Sequence, residues 1–470
     1  MLDDLRIHSG QEPGPNRGGE FVLYWMQGVA MRSTANFALN YAIAQANRLT
    51  LPVLVYQGLR HDYPWANDRH HTFILESARD LYRGFRERGI QYAFYLETRI
   101  EQAHRGLRES PLVTLAQRAA LVVTEFFPTF IQPRQLKRLR AKTATPIIAV
   151  DSSTVIPVRA HDRTYATARS IRPILMTALP HHLHPVGDVE PQIRRSIEIP
   201  FEQPLGSNTA DPTLAALVAA CDVDHTVAPS ATIRGGERAA QTRLSEFLAN
   251  GLARYLERGD PNVDATSRLS PHLHFGTISI HEVLLRAREA GPAPCYAKFL
   301  DEALTWRELA HNLAFRNPKH RTMEAVPAWA QKELDDHSAD PRPAIYTDAQ
   351  LEQGLTGEPL WNAAQHSLVR DGEIHNYIRM LWGKSVLLWT EDAARALRIL
   401  EHLNHKYALD GRDPNSYGGI LWCFGLFDRP FYRRPVFGTV RYMSLKAAVG
   451  KFDTKAYIGR YSTTETPSPS

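Results

Sequence analysis

Three tryptophans close together in the chain, Trp361, Trp382 and Trp389, have side chains that can lose an electron. On a helix, the seven positions from Trp382 to Trp389 make two turns on one face, with roughly 10 Å of rise between the rings. Such a group could relay electrons through oxidisable indoles, or it could be bulky core filler. Glu302 and Trp306 stand four apart, which also places them on one helix face. A carboxylate beside an indole suits a flat nucleobase, whose ring stacks while the acid meets a polar edge. By spacing alone, a core tryptophan beside a salt-bridged glutamate is at least as good a reading. Thr266, Ser267, Arg268, Leu269 and Ser270 put three hydroxyls and an arginine ahead of an apolar stretch. Hydroxyls there could cap a helix, or the free N–H groups could hold phosphate. Between Asp428 and Met443, Arg429, Arg433, Arg434 and Arg441 alternate with aromatic rings. That pattern suits contact with phosphates and bases, whereas a plain charge run is usually a solvated face.

Asp410, Gly411, Asp413 and Asn415 form a stretch with loop chemistry. Its carboxylates lack the spacing of an EF-hand, so a calcium site is not indicated. Histidines 181, 182 and 184 have no matching carboxylate or cysteine pattern and read as solvated linker residues. The three cysteines, Cys221, Cys295 and Cys423, form no CxxC pair, so neither zinc nor a disulfide framework is expected. No metal is assigned.

These groups need a scaffold, and the chain offers two kinds. Residues 21–26, 51–56, 91–96, 120–124 and 146–150 are short apolar runs, separated by helix-like stretches such as 34–46 and 71–88. Alternation of this kind predicts an α/β domain with a doubly wound, mostly parallel, Rossmann-like sheet, whose ligands sit beyond the carboxyl ends of the strands. There is no G-x-G-x-x-G or Walker loop, so a standard dinucleotide or NTP site is not supported. From about residue 211 the apolar spacing turns helical over 239–256, 280–288, 296–315, 359–370, 374–389 and 393–407, which predicts an all-α domain. The expected division is a flexible tail over 1–20, an α/β domain over 21–180, a linker over 181–210, a helical domain over 211–461 and a tail over 462–470. The region from about 152 to 208, rich in proline, histidine and arginine, reads as irregular.

With 470 residues, two domains are the natural expectation. The hydrophobic share of 43% is too high for a disordered chain. The sequence lacks a secretory signal and a bilayer-length apolar run, which fits a reducing cytoplasm. A net charge of +5 permits a polyanionic partner without demanding one.

The motifs themselves resemble a known family. ARYLERGDPNVDATSRLSPHLHFG, with Tyr255 eleven residues before Thr266, is similar to the FAD phosphate-binding segment of photolyases and cryptochromes. Arg234-Gly235-Gly236-Glu237 resembles the start of that family's catalytic domain. WNAAQ, HNYIRMLW and RPVF-G-x-x-RYM resemble the class II cyclobutane pyrimidine dimer photolyases. The likeness runs well over 234–461 and loosely before that. It implies an FAD site in the helical domain. Thr266, Ser267, Leu269 and Ser270, with Arg268 among them, would meet the pyrophosphate, and Tyr255 would lie nearby. Arg307 and Arg379 would face the flavin, with Arg379 favouring its anionic reduced form. Asp410, beside Gly411, and Asn404 would bond it; Asn404 is the first choice for the residue at N5 and Asn415 the second. Glu302, Trp306 and Trp422 would wall the lesion pocket. Trp382 would lie nearest the flavin, with Trp361 and Trp389 farther out. Arg434 and Arg441 would face DNA.

The implied activity is blue-light repair of cyclobutane dimers by electron transfer from reduced FAD to a flipped-out lesion. The implied partner is UV-damaged DNA containing a pyrimidine dimer, and the protein would be a monomer with no membrane association, nucleoid-associated in a bacterium. A second, antenna chromophore, a deazaflavin or a folate, belongs to the same family pattern. The turn after the first strand, from Gln27 to Phe37, departs from that pattern. Two other readings share the flavin pocket: a cryptochrome-like photoreceptor, and a (6-4) photolyase drawing on His366, His375 or His405. The short tail and the set of Glu302, Trp306 and Trp422 favour dimer repair.

Overall fold

The structure is a computed structural model describing residues 3–8, 14–103, 109–205 and 213–462. Residues 463–470 of the expected C-terminal tail over 462–470 lie outside the described residues, as do parts of the expected N-terminal tail and linker.

Six strands form one sheet: β1 Ile7–His8, β2 Val22–Met26, β3 Val53–Leu59, β4 Gln91–Leu96, β5 Leu121–Phe126 and β6 Ile147–Asp151. Their order is β1-β6-β5-β2-β3-β4, parallel throughout except for β1, which pairs antiparallel with β6. Both faces are covered, so β2, β5 and β6 are buried almost end to end. Helices Phe37–Leu49 and Asp68–Glu87 start at Asn36 and Asn67, whose side chains accept from backbone N–H groups three residues on.

The chain leaves β2 towards β3 and β4, then returns to the other side at β5. The switch point therefore lies between β2 and β5. Glu125 is buried there, accepting from Tyr24 Oη at 2.7 Å and from Gln27 N at 2.5 Å. Burial pushes its carboxyl up to about 7. The helical half docks over this point. Met31 N donates to Phe275 O at 3.0 Å, and Gly276, at φ +67°, approaches so closely that a Cβ would stand 2.1 Å from Val29 O.

Two expectations are corrected. The N-terminal stretch is not free up to residue 20. Buried Arg6 donates to the carbonyls of Asp151, Thr154 and Val155, and the His8 ring stacks on Phe126 at 3.6 Å. The region from 152 to 208 is not wholly irregular either, because it contains helix Ala168–His182. Pro173 and Pro180 lie inside that helix and hide it in the sequence. A Thr167–Ser170 capping box starts it, and Ile171 and Leu175 bury themselves against the helical domain. Beyond it the chain returns to the sheet domain, where Gln91 exchanges two hydrogen bonds with the backbone of Ile197.

The second half is helical and built around a core that includes fully buried Trp361. Among the described residues no helix is long and apolar enough to cross a membrane.

Candidate functional site

Helices Asn376–Leu388, Ala393–Tyr407 and Pro414–Trp422 line a small, partly open cavity of about 30 Å³, bordered among others by Arg379, Trp382, Gly383, Asn404, Asn415 and Ser416. Asp413 sets the approach of the third helix. Its carboxylate accepts from Asn415 N at 2.9 Å, with Pro414 opening the first turn. Burial alone would raise the Asp413 carboxyl. The His274 hydrogen bond at 3.3 Å and the charges of Arg307 and His311 outweigh burial and hold it well below the usual carboxylate range. Gly411 makes the preceding turn, where a Cβ would meet the carbonyl oxygens of Ala408 and Asn404 at 2.9 Å each.

Arg379 and Asp410 form a two-pronged pair, 3.0 Å at each prong. Burial works against the arginine's charge, but Asp410 and Glu373 outweigh it and raise its pKa. Arg379 Nε is buried with no partner. Asn404 donates to Ser416 Oγ at 3.2 Å, and that hydroxyl donates to Asp410 O at 2.7 Å. A fixed guanidinium, two amides and a hydroxyl thus surround one slot with apolar walls. This donor set fits the polar edge of a flat heteroaromatic ring such as flavin, and the orphaned Nε leaves a donor for it.

The expected phosphate segment does not line this cavity. It joins it through a chain of charges, because Arg268, at φ +51°, pairs with Glu373, which also faces Arg379. The hydroxyl cap expected at Ser270–His274 is absent. Leu269 holds the cap position in helical conformation, and Ser267 Oγ instead accepts from Leu269 N at 3.4 Å within the turn. Thr266 and Ser267 are half-buried and Ser270 is exposed. Tyr255 packs edge-on against Phe299 at 5.2 Å, beneath Arg258.

Glu302 and Trp306 sit in a π-helical turn, Asp301–Trp306, rather than an α-helix. Glu302 pairs with Arg258 at 3.0 Å and Lys298 at 2.7 Å, and Trp306 is half-buried. Buried Arg307 donates to Ser153 O at 3.2 Å and keeps an unpartnered Nε.

The three tryptophans are in contact. Trp382 lines the cavity and stacks on Trp361 at 6.2 Å with 9° between planes; Trp361 meets Trp389 edge-on at 5.6 Å. Trp382 donates its indole N–H to Gln365 Oε1 at 3.0 Å, and Trp361 donates to Trp382 O at 2.9 Å. Trp422 lies elsewhere, at the end of Pro414–Trp422, with the Arg441 guanidinium 5.4 Å from its ring centre. Arg441 also covers Phe431 at 4.4 Å and pairs with Asp428 at 3.0 Å. Arg434 is exposed at the tip of the same loop, beside Tyr432 at 91% exposure. No described residue lining the cavity is a histidine.

Sequence reasoning missed Glu373, Ser416 and Lys384. The only signal for Lys384 was a lysine inside an otherwise apolar helical run, Leu381 to Leu388. It is buried and donates to Cys423 O at 2.7 Å.

No family model matches the chain. Among curated proteins, a deoxyribodipyrimidine photo-lyase of Methanothermobacter thermautotrophicus is 37% identical over 471 residues, covering 98% of each chain. One from Potorous tridactylus is 31% identical, covering 94% of this chain and 81% of its own. Among solved structures, a bacterial class III photolyase from Agrobacterium tumefaciens superposes with a TM-score of 0.67 at 19% identity, covering 94% of this chain and 86% of its own, which supports the shared fold. Identity above 30% across nearly the whole length decides the matter: the chain belongs to the deoxyribodipyrimidine photo-lyase family of enzymes.

Proposed function

We propose that this enzyme uses blue light and a bound, reduced FAD to split cyclobutane pyrimidine dimers in DNA, and that it is a class II member of its family. The carrying observation is that Trp382 both lines the cavity and begins the Trp382–Trp361–Trp389 stack. A ring slot and an electron path thus meet at one side chain. The class assignment is supported by the WNAAQ, HNYIRMLW and RPVF-G-x-x-RYM strings, which supply Trp361, Trp382 and Arg441.

When bound, FAD supplies one photoexcited electron to the lesion. The chain's own residues bind, orient and exclude water. Arg379, Asp410 and Asn404 would hold the flavin ring, and Arg379 supplies a fixed cation that favours an anionic ring. Thr266, Ser267 and Ser270 would meet the phosphates. Glu302, Trp306 and Trp422 would receive the flipped bases, with Arg441 facing the DNA beside them and Arg434 facing the backbone.

The test is illumination of the reduced, FAD-loaded protein with an oligonucleotide containing a thymine dimer. Recovery of thymine absorbance is expected. No recovery with flavin bound and reduced would point to a photoreceptor instead.

A further inference from the structure

Cations treat the tryptophans of this domain unequally. Lys384 Nζ lies 4.8 Å from the centre of the Trp422 ring, and Arg441 5.4 Å from it. Among the described residues no cation lies over Trp382, Trp361 or Trp389. Trp382 and Trp361 instead donate their indole N–H groups to oxygen acceptors, which favours a positive charge on the ring. Lys384 forms no ion pair among the described residues, and Asp428, the carboxylate whose charge reaches it, is paired with Arg441. It is 1% exposed and held by the carbonyls of Cys423 at 2.7 Å and Trp422 at 3.4 Å. A buried cation without a counter-ion is unfavourable, so its presence calls for a role.

We propose that Lys384 is a positioning residue that makes Trp422 a poor electron donor, so that electrons reach the flavin from Trp382 and not from the wall of the lesion pocket. The inference rests on the FAD reading above. A cation attracts a neutral indole face but repels the positive charge left when that indole loses an electron. At this separation and an effective dielectric of about 20, the penalty amounts to about a hundredfold or more against an oxidised Trp422. Without it, Trp422 would compete with the relay.

The test uses full-length protein loaded with oxidised FAD, under blue light with a thiol reductant. One electron leaves an indole and enters the photoexcited flavin, no bond breaks, and the thiol restores the indole. Trp382→Phe is expected to slow flavin photoreduction about tenfold or more. Adding Lys384→Met should restore it by about fivefold or more, and adding Trp422→Phe should abolish the gain. Trp382→Phe/Lys384→Met no faster than Trp382→Phe, with flavin bound, overturns the proposal, as does a gain that survives loss of Trp422.

If Lys384→Met does not fold, the Trp382→Phe protein is taken from about pH 7 to about pH 10. Burial lowers the ammonium to about 8, Cys423 and Asp428 oppose that, and Arg441 adds to it. The Cys423 thiol, pushed up by burial to about 11, stays mostly neutral, and the same pH series on Trp382→Phe/Trp422→Phe subtracts the ionisation of the thiol reductant. Photoreduction through Trp422 should rise across it; a flat profile overturns the proposal. A flavin-free arm separates the two readings. Carbonate radical, a one-electron oxidant, should oxidise Trp422 about fivefold more in Lys384→Met, with Trp361 unchanged, as mapped by mass spectrometry. If that change appears while no form of the protein takes up flavin, the FAD reading fails and the choice of donor to flavin fails with it, while the effect of Lys384 on Trp422 oxidation stands. If Trp422 oxidation does not change, the role of Lys384 fails.

Discussion

A lysine that loses its hydration without gaining a carboxylate lowers the stability of the fold that contains it, and Lys384 is so placed. Burial takes its pKa from 10.5 to about 8. The folded state therefore holds fewer protons than the unfolded chain between those values, and this group's contribution to stability rises with pH through that window. Below it the full cost remains. Lys384→Met should stabilise the protein near pH 7 by about 1–2 kcal/mol, after allowance for the lost bonds to two carbonyls. The difference should shrink towards pH 10. Urea unfolding at several pH values checks this, and a pH-independent difference would count against a charged Lys384. The opposite case is Asp410, which satisfies both terminal nitrogens of Arg379. Asp410→Ala strands a largely buried guanidinium and should cost about 3 kcal/mol, with flavin retention on gel filtration falling in parallel. Normal retention would remove the pair from the cofactor site.

At the scale of elements, the stack depends on two helices crossing so that Trp361 of Pro359–Asp371 inserts between Trp382 of Asn376–Leu388 and Trp389 at its end. Trp361→Phe keeps a ring but is harder to oxidise. It should slow photoreduction of oxidised flavin at least about tenfold, while protein reduced chemically beforehand repairs dimers within about twofold of normal. Equal loss in both assays would make Trp361 a packing residue. These helices were legible because their apolar spacing repeats, and the three indoles could be grouped from sequence alone. Other elements were not. The spacing over 239–256 predicts one helix, yet the chain passes from α-helix through a π-turn, Phe247–Gly251, into a 3-10 segment. The turn at Glu302 is likewise π, and hydrogen-bond offsets of this kind follow from tertiary packing rather than residue type. Pairings such as Arg268 with Glu373, 105 positions apart, have no local signature. That is why the expected phosphate segment and the proposed ring site appeared as separate motifs rather than as parts joined by one line of charge.

For the whole molecule, the two halves meet where Gly276 presses on Val29, so Gly276→Ala should lower stability by about 2 kcal/mol or more through a clash and an unfavourable φ, seen as a lower Tm. An unchanged Tm would mean that the interface is looser than the contact implies. The outer face bears on the partner. Net charge is only +5, so affinity for DNA must come from where the arginines stand. In the loop between Asp428 and Arg441, Arg433 is paired with Glu333 at 3.0 Å and Arg441 with Asp428 at 3.0 Å. Arg434 is exposed and has no carboxylate partner among the described residues, so its charge is free for a phosphate. Arg434→Ala should weaken intact and dimer-containing duplex alike and reduce the slope of log affinity against log salt by about one. Arg441 is different, because it lies over both Trp422 and Phe431 beside the proposed pocket. Arg441→Ala should leave intact duplex nearly unchanged and weaken the dimer-containing duplex by about tenfold. Titrations of both duplexes at several salt concentrations separate the two arginines. Equal losses on both DNAs for Arg441→Ala would place it on the backbone face with Arg434 and away from the flipped base.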